Sequence, residues 1–225
     1  LDEGEVRLLR LLANQAAIAI VKARLHQEEV KQLQAETELA VARQIQLSLL
    51  PRSSPVVPGW EFAEFYQPAQ LVGGDFYDFF ELPGEPGRLG LVIADVAGKG
   101  VPAALFMALS RTMIRTAGLG GRAPAATLLR ANQLILNDSR AEMFLTAFYA
   151  ELDTRSGRLA YARAGHNRPL WWHAATGELD ELDADGIVLG AIEAIDLEEC
   201  EIDMAPGDLV LAYTDGVTEA IDGAG

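Results

Sequence analysis

The 225-residue sequence carries 33 acidic and 18 basic side chains, and its formal net charge of −15 disfavours binding to the phosphate backbone of DNA or RNA. Hydrophobic residues make up 50% of the chain, which excludes a disordered protein and suits a substantial core. The single cysteine, Cys200, excludes an internal disulfide, and no apolar run reaches the length of a membrane helix. We therefore expect a cytoplasmic protein without a membrane segment.

A long helix is predicted at the start of the chain, because neither glycine nor proline occurs between Glu5 and Leu50. Apolar residues recur at a spacing of three or four, with a shift of phase near residues 28–29, at Leu11, Ile18, Val21, Leu25, Val30, Leu33, Ala40 and Leu47. A single helix with such an apolar stripe is not stable alone in water. We predict that residues 1–50 form a parallel coiled coil with a second copy of the chain. The alternative is a helix folded back on its own domain.

Residues 51–59 contain three prolines and are predicted to be an extended linker, followed by a globular domain over residues 60–225. Helices are predicted from Pro102 to Gly118 and from Pro124 to Asn137. Strands are predicted at residues 60–66, 76–82, 89–96, 144–152, 159–164, 170–173, 197–203 and 209–213. This number of antiparallel strands with two helices indicates an α+β fold, in which two sheets stack as a β-sandwich.

Three aspartates, Asp75, Asp95 and Asp215, each end an apolar strand close to glycine. Hard divalent cations such as Mg²⁺ and Mn²⁺ prefer oxygen ligands, and glycine allows the backbone to come near an ion. The pattern predicts that the three aspartates form one metal site. Lys99, between Gly98 and Gly100, lacks the spacing of a nucleotide-binding loop. It either binds substrate phosphate or an acidic partner, or is a solvated turn lysine.

Four motifs occur together in this chain: GGDFYD (73–78), ADVAGKGVPAA (94–104), AGHNRPL (164–170) and YTDGVTEA (213–220). In this order they resemble the bacterial PPM family of metal-dependent serine/threonine protein phosphatases, in its SpoIIE-type branch, over roughly residues 49–220. The resemblance implies a β-sandwich flanked by helices. It also implies direct hydrolysis of a phosphoserine or phosphothreonine with two Mn²⁺ or Mg²⁺ ions.

The resemblance further implies roles for single residues. Asp75 and Asp95 match metal-binding aspartates of the family, with Asp95 bridging two ions and Val96 donating its backbone carbonyl. Asp215 matches the third aspartate and is expected to bind the second ion. We interpret His166 as a residue that stabilises its loop rather than as a proton donor. Asp78 either holds its turn by hydrogen bonding or approaches a metal.

Two helical segments carry further resemblances. Residues 8–20 resemble the closing helix of GAF sensory domains, so we expect a sensor upstream in the parent protein. Residues 40–51 resemble the helix that leads into SpoIIE-type phosphatase domains and passes on the regulatory signal. Our hypothesis is that the helices between Pro102 and Asn137 shift when the coiled coil changes register, and so assemble or dismantle the metal site. The substrate implied by the resemblance is a phosphorylated anti-sigma-factor antagonist.

Family members carry one more aspartate pair on a late strand that completes the second metal site, and the sequence ends at Gly225 before such a strand. We therefore expect residues 60–225 to be a C-terminally incomplete domain that binds one ion well, binds the other weakly and is poorly active. One alternative function is an inactive interaction module that relays a sensor signal. Another is a two-metal phosphoesterase acting on small phosphoesters.

Overall fold

The computed structural model describes residues 3–68, 70–84, 86–138 and 143–219. The chain divides into two compact units, residues 1–44 and 45–225. Within the described ranges, no helix is both long enough and apolar enough to cross a lipid bilayer.

Helix α1 (Glu3–Leu49) makes up the first unit and continues into the second, which confirms the long helix predicted from the lack of glycine and proline. Large apolar side chains of the predicted stripe are exposed along it, for example Leu11 at 60%, Leu25 at 60% and Leu33 at 56%. Exposed apolar side chains at this spacing are typical of a helix that pairs with another helix. The pairing with a second copy stays a prediction.

The second unit contains eight strands in the described ranges: β1 (Phe76–Glu81), β2 (Arg88–Val96), β3 (Leu145–Asp153), β4 (Arg158–Ala164), β5 (Leu170–Trp172), β6 (Leu179–Glu181), β7 (Glu199–Asp203) and β8 (Leu209–Leu211). They form a five-stranded sheet in the order β1-β2-β3-β4-β7 and a three-stranded sheet in the order β6-β5-β8. All of these pairings are antiparallel. Three further helices follow or interrupt the strands: α2 (Gly100–Gly118), α3 (Pro124–Asp138) and α4 (Asp215–Thr218).

The larger sheet is buried on both faces, as alternate residues of β3 show. Leu145, Ala147 and Tyr149 belong to a core cluster shared with apolar residues of α2 and α3. Phe148, Ala150 and Leu152 belong to a second cluster, against which Trp171 and Val210 of the smaller sheet pack. Side chains of a strand alternate between the two faces of a sheet. The order of layers is therefore helices, large sheet, small sheet, which confirms the predicted α+β fold with a flanked sandwich.

The strand predicted at residues 60–66 is not formed. Val57 and Trp60 make only an isolated bridge, and residues 61–68 and 70–75 form no strand. The Trp60 indole donates a hydrogen bond to the Thr154 carbonyl at 2.8 Å, and the ring packs against the second core cluster. Of the aromatic residues that suggested a strand, Trp60, Phe62 and Tyr66 pack against the core without forming one, whereas Phe65 is 84% exposed.

Candidate metal centre

Asp75 and Asp95 meet at the end of the β1–β2 pair. The register pairs Phe76 with Ala94, so the residue before β1 and the penultimate residue of β2 lie opposite one another. Their carboxyl groups lie close enough to share a proton, which helps to raise the pKa of Asp95. Two of the three predicted ligands are thus brought together by antiparallel pairing, although 19 residues separate them in the chain.

The charge at this point is strongly negative. Burial raises the pKa of Asp95 to about 8, and the neighbouring carboxylates of Asp75, Asp215 and Glu219 act in the same direction. Like charges that share one site disfavour full ionisation unless a positive charge compensates them. The sequence analysis identified three of these four acids and missed Glu219, which lies just after α4.

The third predicted ligand, Asp215, is the first residue of α4 and is exposed. The preceding residue, Thr214, connects its segment to the rest of the site, because its hydroxyl donates a hydrogen bond to Asp75 Oδ2 at 2.6 Å. Two segments separated by 139 positions in the sequence are therefore held together at Asp75. Thr214 lies within the YTDGVTEA motif, but nothing in the sequence indicates its partner; Ala220, the last residue of that motif, lies outside the described residues.

The backbone of Val96 lies against Gly74. A Cβ atom at Gly74 would approach the Val96 carbonyl oxygen to 2.8 Å and the Val96 Cβ to 3.1 Å, distances at which backbone must shift. Gly74 is buried, so no space exists on the other side for such a shift to be easy. Glycine at this position therefore lets the chain just before Asp75 lie close to the Val96 carbonyl.

Carboxylate and backbone carbonyl oxygens are the donors that Mg²⁺ and Mn²⁺ prefer, so the residues present fit a divalent cation. As they stand, the described residues contain no group of three or more histidine, cysteine, aspartate or glutamate side chains arranged to hold a metal ion. The contacts are pairwise, between Asp75 and Asp95 and between Asp75 and the Asp215 segment through Thr214.

His166 lies next to this carboxylate group and is 2% exposed. Its Nδ1 is 2.8 Å from the hydroxyl of Thr146, which is the cross-strand partner of Asp95. Burial lowers the pKa of His166 to about 4, and the charge of Asp75 opposes this shift. The imidazole is therefore neutral near pH 7.

Gln46, in the last turn of α1, contacts the glycine pair that precedes Asp75. Its Nε2 donates to the Gly73 carbonyl at 2.6 Å, and its Oε1 accepts a hydrogen bond from the Gly73 amide at 3.1 Å. The side chain is 4% exposed. The sequence analysis missed this residue, because a glutamine near the end of a polar helix has no distinguishing pattern.

Asp78 does not extend toward the other aspartates. It is 1% exposed and accepts hydrogen bonds at 2.9 Å from Arg111 and Arg115, both on α2. Asp78 therefore fastens β1 to α2, the helix that begins five residues after Asp95. Lys99 is exposed and precedes the first residue of that helix.

Comparisons with known proteins point to one family. The model of the family described as Stage II sporulation protein E (SpoIIE) matches residues 85–225. The phosphoserine phosphatase RsbU of Bacillus subtilis (strain 168) is 30% identical over 193 residues, which are 86% of this chain and 55% of RsbU. Protein IcfG of Synechocystis sp. (strain ATCC 27184 / PCC 6803 / Kazusa) is 34% identical over 223 residues, covering 86% of this chain and 34% of IcfG.

Among solved structures, the SiaA-PP2C domain of Pseudomonas aeruginosa matches with a TM-score of 0.70 and 29% sequence identity, covering 82% of this chain and 73% of that domain. The chain spans about half of RsbU and about a third of IcfG. The comparison therefore concerns one domain and the helix that precedes it.

Proposed function

The chain belongs to the SpoIIE family of PP2C-type phosphatase domains, and on that premise we propose that it is the catalytic part of a metal-dependent protein serine/threonine phosphatase. The reaction is hydrolysis of a phosphoserine or phosphothreonine ester. Water forms the new bond to phosphorus, the bond between phosphorus and the side-chain oxygen breaks, and a proton passes to the leaving hydroxyl. The products are inorganic phosphate and the free side chain.

The observation that supports this proposal best is the meeting of Asp75 and Asp95 across β1 and β2, with the Asp215 segment joined to Asp75 by Thr214. Carboxylates at the ends of separate elements, drawn together despite their mutual repulsion, are costly for a fold that does not use them. A binding module without catalysis gains nothing from this arrangement.

We propose that Asp75, Asp95, Asp215 and the Val96 carbonyl would hold the Mn²⁺ or Mg²⁺ ions. Divalent cations bound there supply Lewis-acid chemistry, which activates water and neutralises charge on the phosphoryl oxygens. The chain's own residues fix the ligands: Thr214 orients Asp75 through its hydrogen bond at 2.6 Å, and Gly74 leaves room for the Val96 carbonyl. Lys99, exposed at the start of α2, is the candidate contact for the substrate phosphate.

The substrate we propose is a phosphorylated regulatory protein of the anti-sigma-factor antagonist type, acted on in the cytoplasm. Support comes from RsbU, which is named a phosphoserine phosphatase. The net charge of −15 makes a nucleic-acid partner unfavourable. The partner proposed for the first unit is a second copy of the chain, through the exposed apolar residues of α1.

We propose that an upstream sensor controls the activity through α1. Two contacts support a path from helices to the carboxylates. Gln46, in the last turn of α1, is bonded to Gly73, and Asp78 fastens α2 to β1. A change in the position of residues 45–49 would move Gly73 and, with it, the backbone that leads into Asp75.

The test is Mn²⁺-dependent release of phosphate from a phosphoserine peptide by the 225-residue chain and by Asp95→Asn. Asp180→Asn is the matched control, because Asp180 is an exposed aspartate on β6 of the small sheet, paired with His173. We expect Asp95→Asn to lower activity by at least about a hundredfold, the order of loss typical of removing a group that stabilises the transition state. Asp180→Asn should keep the parent's activity.

Binding of Mn²⁺ is measured in parallel by calorimetry. A parent chain that neither hydrolyses the peptide nor binds Mn²⁺ would contradict the proposal and favour the interaction module. Turnover of small phosphoesters without turnover of the phosphopeptide would favour the phosphoesterase alternative.

A further inference from the structure

A glycine turn and two hydrogen bonds fix the position of His166. The chain turns at Gly165, whose φ of +66° is a conformation that favours glycine, directly after β4. The Thr146 hydroxyl contacts Nδ1 at 2.8 Å, and Arg163 donates a hydrogen bond to the His166 carbonyl at 2.9 Å. Arg163 is itself bonded to Asp183 at 2.8 Å. The ring therefore has one position, with one nitrogen already engaged.

The other ring nitrogen, Nε2, is buried and makes no hydrogen bond of normal geometry with the described residues. The backbone carbonyl of Tyr213 lies within hydrogen-bonding reach of the ring, and the charges of Asp75 and Arg163 act on it. Tyr213 immediately precedes Thr214, the residue that donates to Asp75. His166 is thus next to the place where the Asp75 segment and the Asp215 segment meet.

The surroundings decide which nitrogen carries the proton. Asp75 and the Tyr213 carbonyl are both acceptors, so a lone pair on Nε2 would be repelled by them and an N–H would be attracted. The Thr146 hydroxyl can donate as well as accept, so it can serve Nδ1 as the donor. The favoured state is a neutral ring with the proton on Nε2 and with Thr146 donating to Nδ1.

We propose that His166 is a positioning residue of the metal centre, whose Nε2–H donates between the Asp75 carboxylate and the Tyr213 carbonyl and sets the distance between the Asp75 and Asp215 segments. The inference rests on the proposed function, because it takes Asp75 and Asp215 as metal ligands. Thr214 supplies the first connection between these segments. His166 supplies the second, and its ring is held in turn by Thr146 of β3.

Two substitutions test the two ring nitrogens of His166 separately. In His166→Asn the side-chain amide reaches the position of Nδ1 and keeps a partner for Thr146, but it lacks a group at the position of Nε2. In His166→Gln the longer amide places an N–H donor near Nε2 and gives up the Nδ1 contact. If the donor at Nε2 matters, the two variants differ in metal affinity; if the ring only fills space, they do not.

The measurements are the Kd for Mn²⁺ by calorimetry and long-range ¹H–¹⁵N NMR of the metal-free chain, which identifies the protonated ring nitrogen. We expect the Nε2–H tautomer. We expect His166→Asn to weaken Mn²⁺ binding by about 10- to 100-fold, the range for residues that orient metal ligands, and His166→Gln to stay close to the parent. His173→Asn is the matched control, since His173 lies just after β5 and pairs with Asp180.

An Nδ1–H tautomer would overturn the proposal. So would a His166→Asn variant that binds Mn²⁺ as tightly as the parent, or equal losses in the Asn and Gln variants, which would indicate a purely structural ring. Mn²⁺ binding that depends on His166 in a chain that hydrolyses no phosphopeptide would contradict the proposed phosphatase and leave this role standing. A parent that binds no Mn²⁺ would overturn both.

Discussion

Glu151 is a buried carboxylate outside the candidate metal centre, and we expect it to make the stability of the fold depend on pH. It is 5% exposed, accepts a hydrogen bond from Arg88 at 2.5 Å and another from the Tyr149 hydroxyl at 3.1 Å. Burial raises the pKa of Glu151, and the contacts with Tyr149 and Arg88 only partly oppose the shift. Removing a carboxylate from water therefore outweighs its two partners at this position.

We predict that Glu151→Gln gains stability relative to the parent as pH rises. The folded chain holds the Glu151 proton to a higher pH than the unfolded chain, so the stabilisation from this group is complete below the unfolded value of 4.5 and is lost as pH rises through the folded pKa. Glutamine keeps the shape and has no proton to lose. Urea unfolding of both proteins from about pH 4 to pH 8, without metal, measures the difference.

The exposed Glu178→Gln serves as the control and should show no such trend. A difference between Glu151→Gln and the parent that is constant over the pH range, or that shrinks as pH rises, would contradict the prediction. The first result would mean that Glu151 does not titrate in this range, and the second that Arg88 outweighs burial.

The residues of the site divide into those that the sequence predicts and those that it does not. Asp75, Asp95 and Asp215 each lie in a short local pattern, an apolar run that ends beside glycine, so they could be proposed as metal ligands without knowing their neighbours. Glu219 and Thr214 take part through contacts formed only when distant segments fold together. Gln46 is 27 positions from its partner. No local pattern contains such information.

At the scale of secondary structure, the contact between α1 and the metal centre is the one that regulation would need. Residues 45–49 of α1 belong to the larger unit, where Gln46 and Leu50 are both buried. The amide of Gln46 is a donor and an acceptor at once, and it satisfies both polar groups of the Gly73 backbone. These two hydrogen bonds fix the position of the C-terminal end of α1 relative to the Asp75 segment.

We predict that Gln46→Ala destabilises the chain by about 1–3 kcal/mol, since it leaves two polar backbone groups of Gly73 without their partner. We also expect weaker Mn²⁺ binding, because Gly73 then no longer fixes the position of Asp75. Urea unfolding and calorimetry measure the two effects. Gln44→Ala is the matched control: it removes an exposed glutamine from the same helix two residues earlier.

If Gln46→Ala and Gln44→Ala had equal stability and equal Mn²⁺ affinity, the prediction would be wrong. Lower stability with unchanged Mn²⁺ affinity would be a different result, in which Gln46 holds the helix end without acting on the site.

The elements themselves were predicted well where periodicity and breakers agree. Helix α2 ends at Gly118 and helix α3 begins at Pro124, as predicted, and β1 to β4 carry the expected apolar runs. The prediction failed at residues 60–66, where Trp60 and Phe62 pack against the core without forming a strand. It missed β6, whose three residues are all exposed and carry two carboxylates, so that neither burial nor alternation marks it as a strand.

At the scale of the whole molecule, the layered α+β architecture could be predicted, and the strand order could not. Hairpins such as β1–β2 and β3–β4 join neighbours in sequence, which short turns indicate. In the chain, β5 and β6 of the small sheet lie between β4 and β7, and nothing in the composition of Glu199–Asp203 selects β4 as its partner. Long-range pairing depends on the packing of all the elements together.

The first unit exposes apolar side chains that a second helix could cover. Ile18, Val21 and Leu25 lie on the predicted stripe and are 53%, 55% and 60% exposed. We predict that the chain is a dimer, with about twice the monomer mass of 24.3 kDa in light scattering after gel filtration. The net charge of −15 on each copy opposes association, so the dimer should strengthen with salt. Ile18→Glu and Leu25→Glu place a charge in the seam and should give monomers.

Ile20→Glu provides the control for this prediction, because Ile20 is equally apolar and 55% exposed but lies off the stripe. Orientation follows from a second substitution, Leu25→Cys in a chain with Cys200→Ser. In a parallel coiled coil the two copies of residue 25 face each other across the seam, so a disulfide forms readily under mild oxidation. In an antiparallel pair they lie apart and it does not. A monomeric parent, or dimers that persist equally in the Ile18, Leu25 and Ile20 variants, would instead favour a helix that folds back on its own domain.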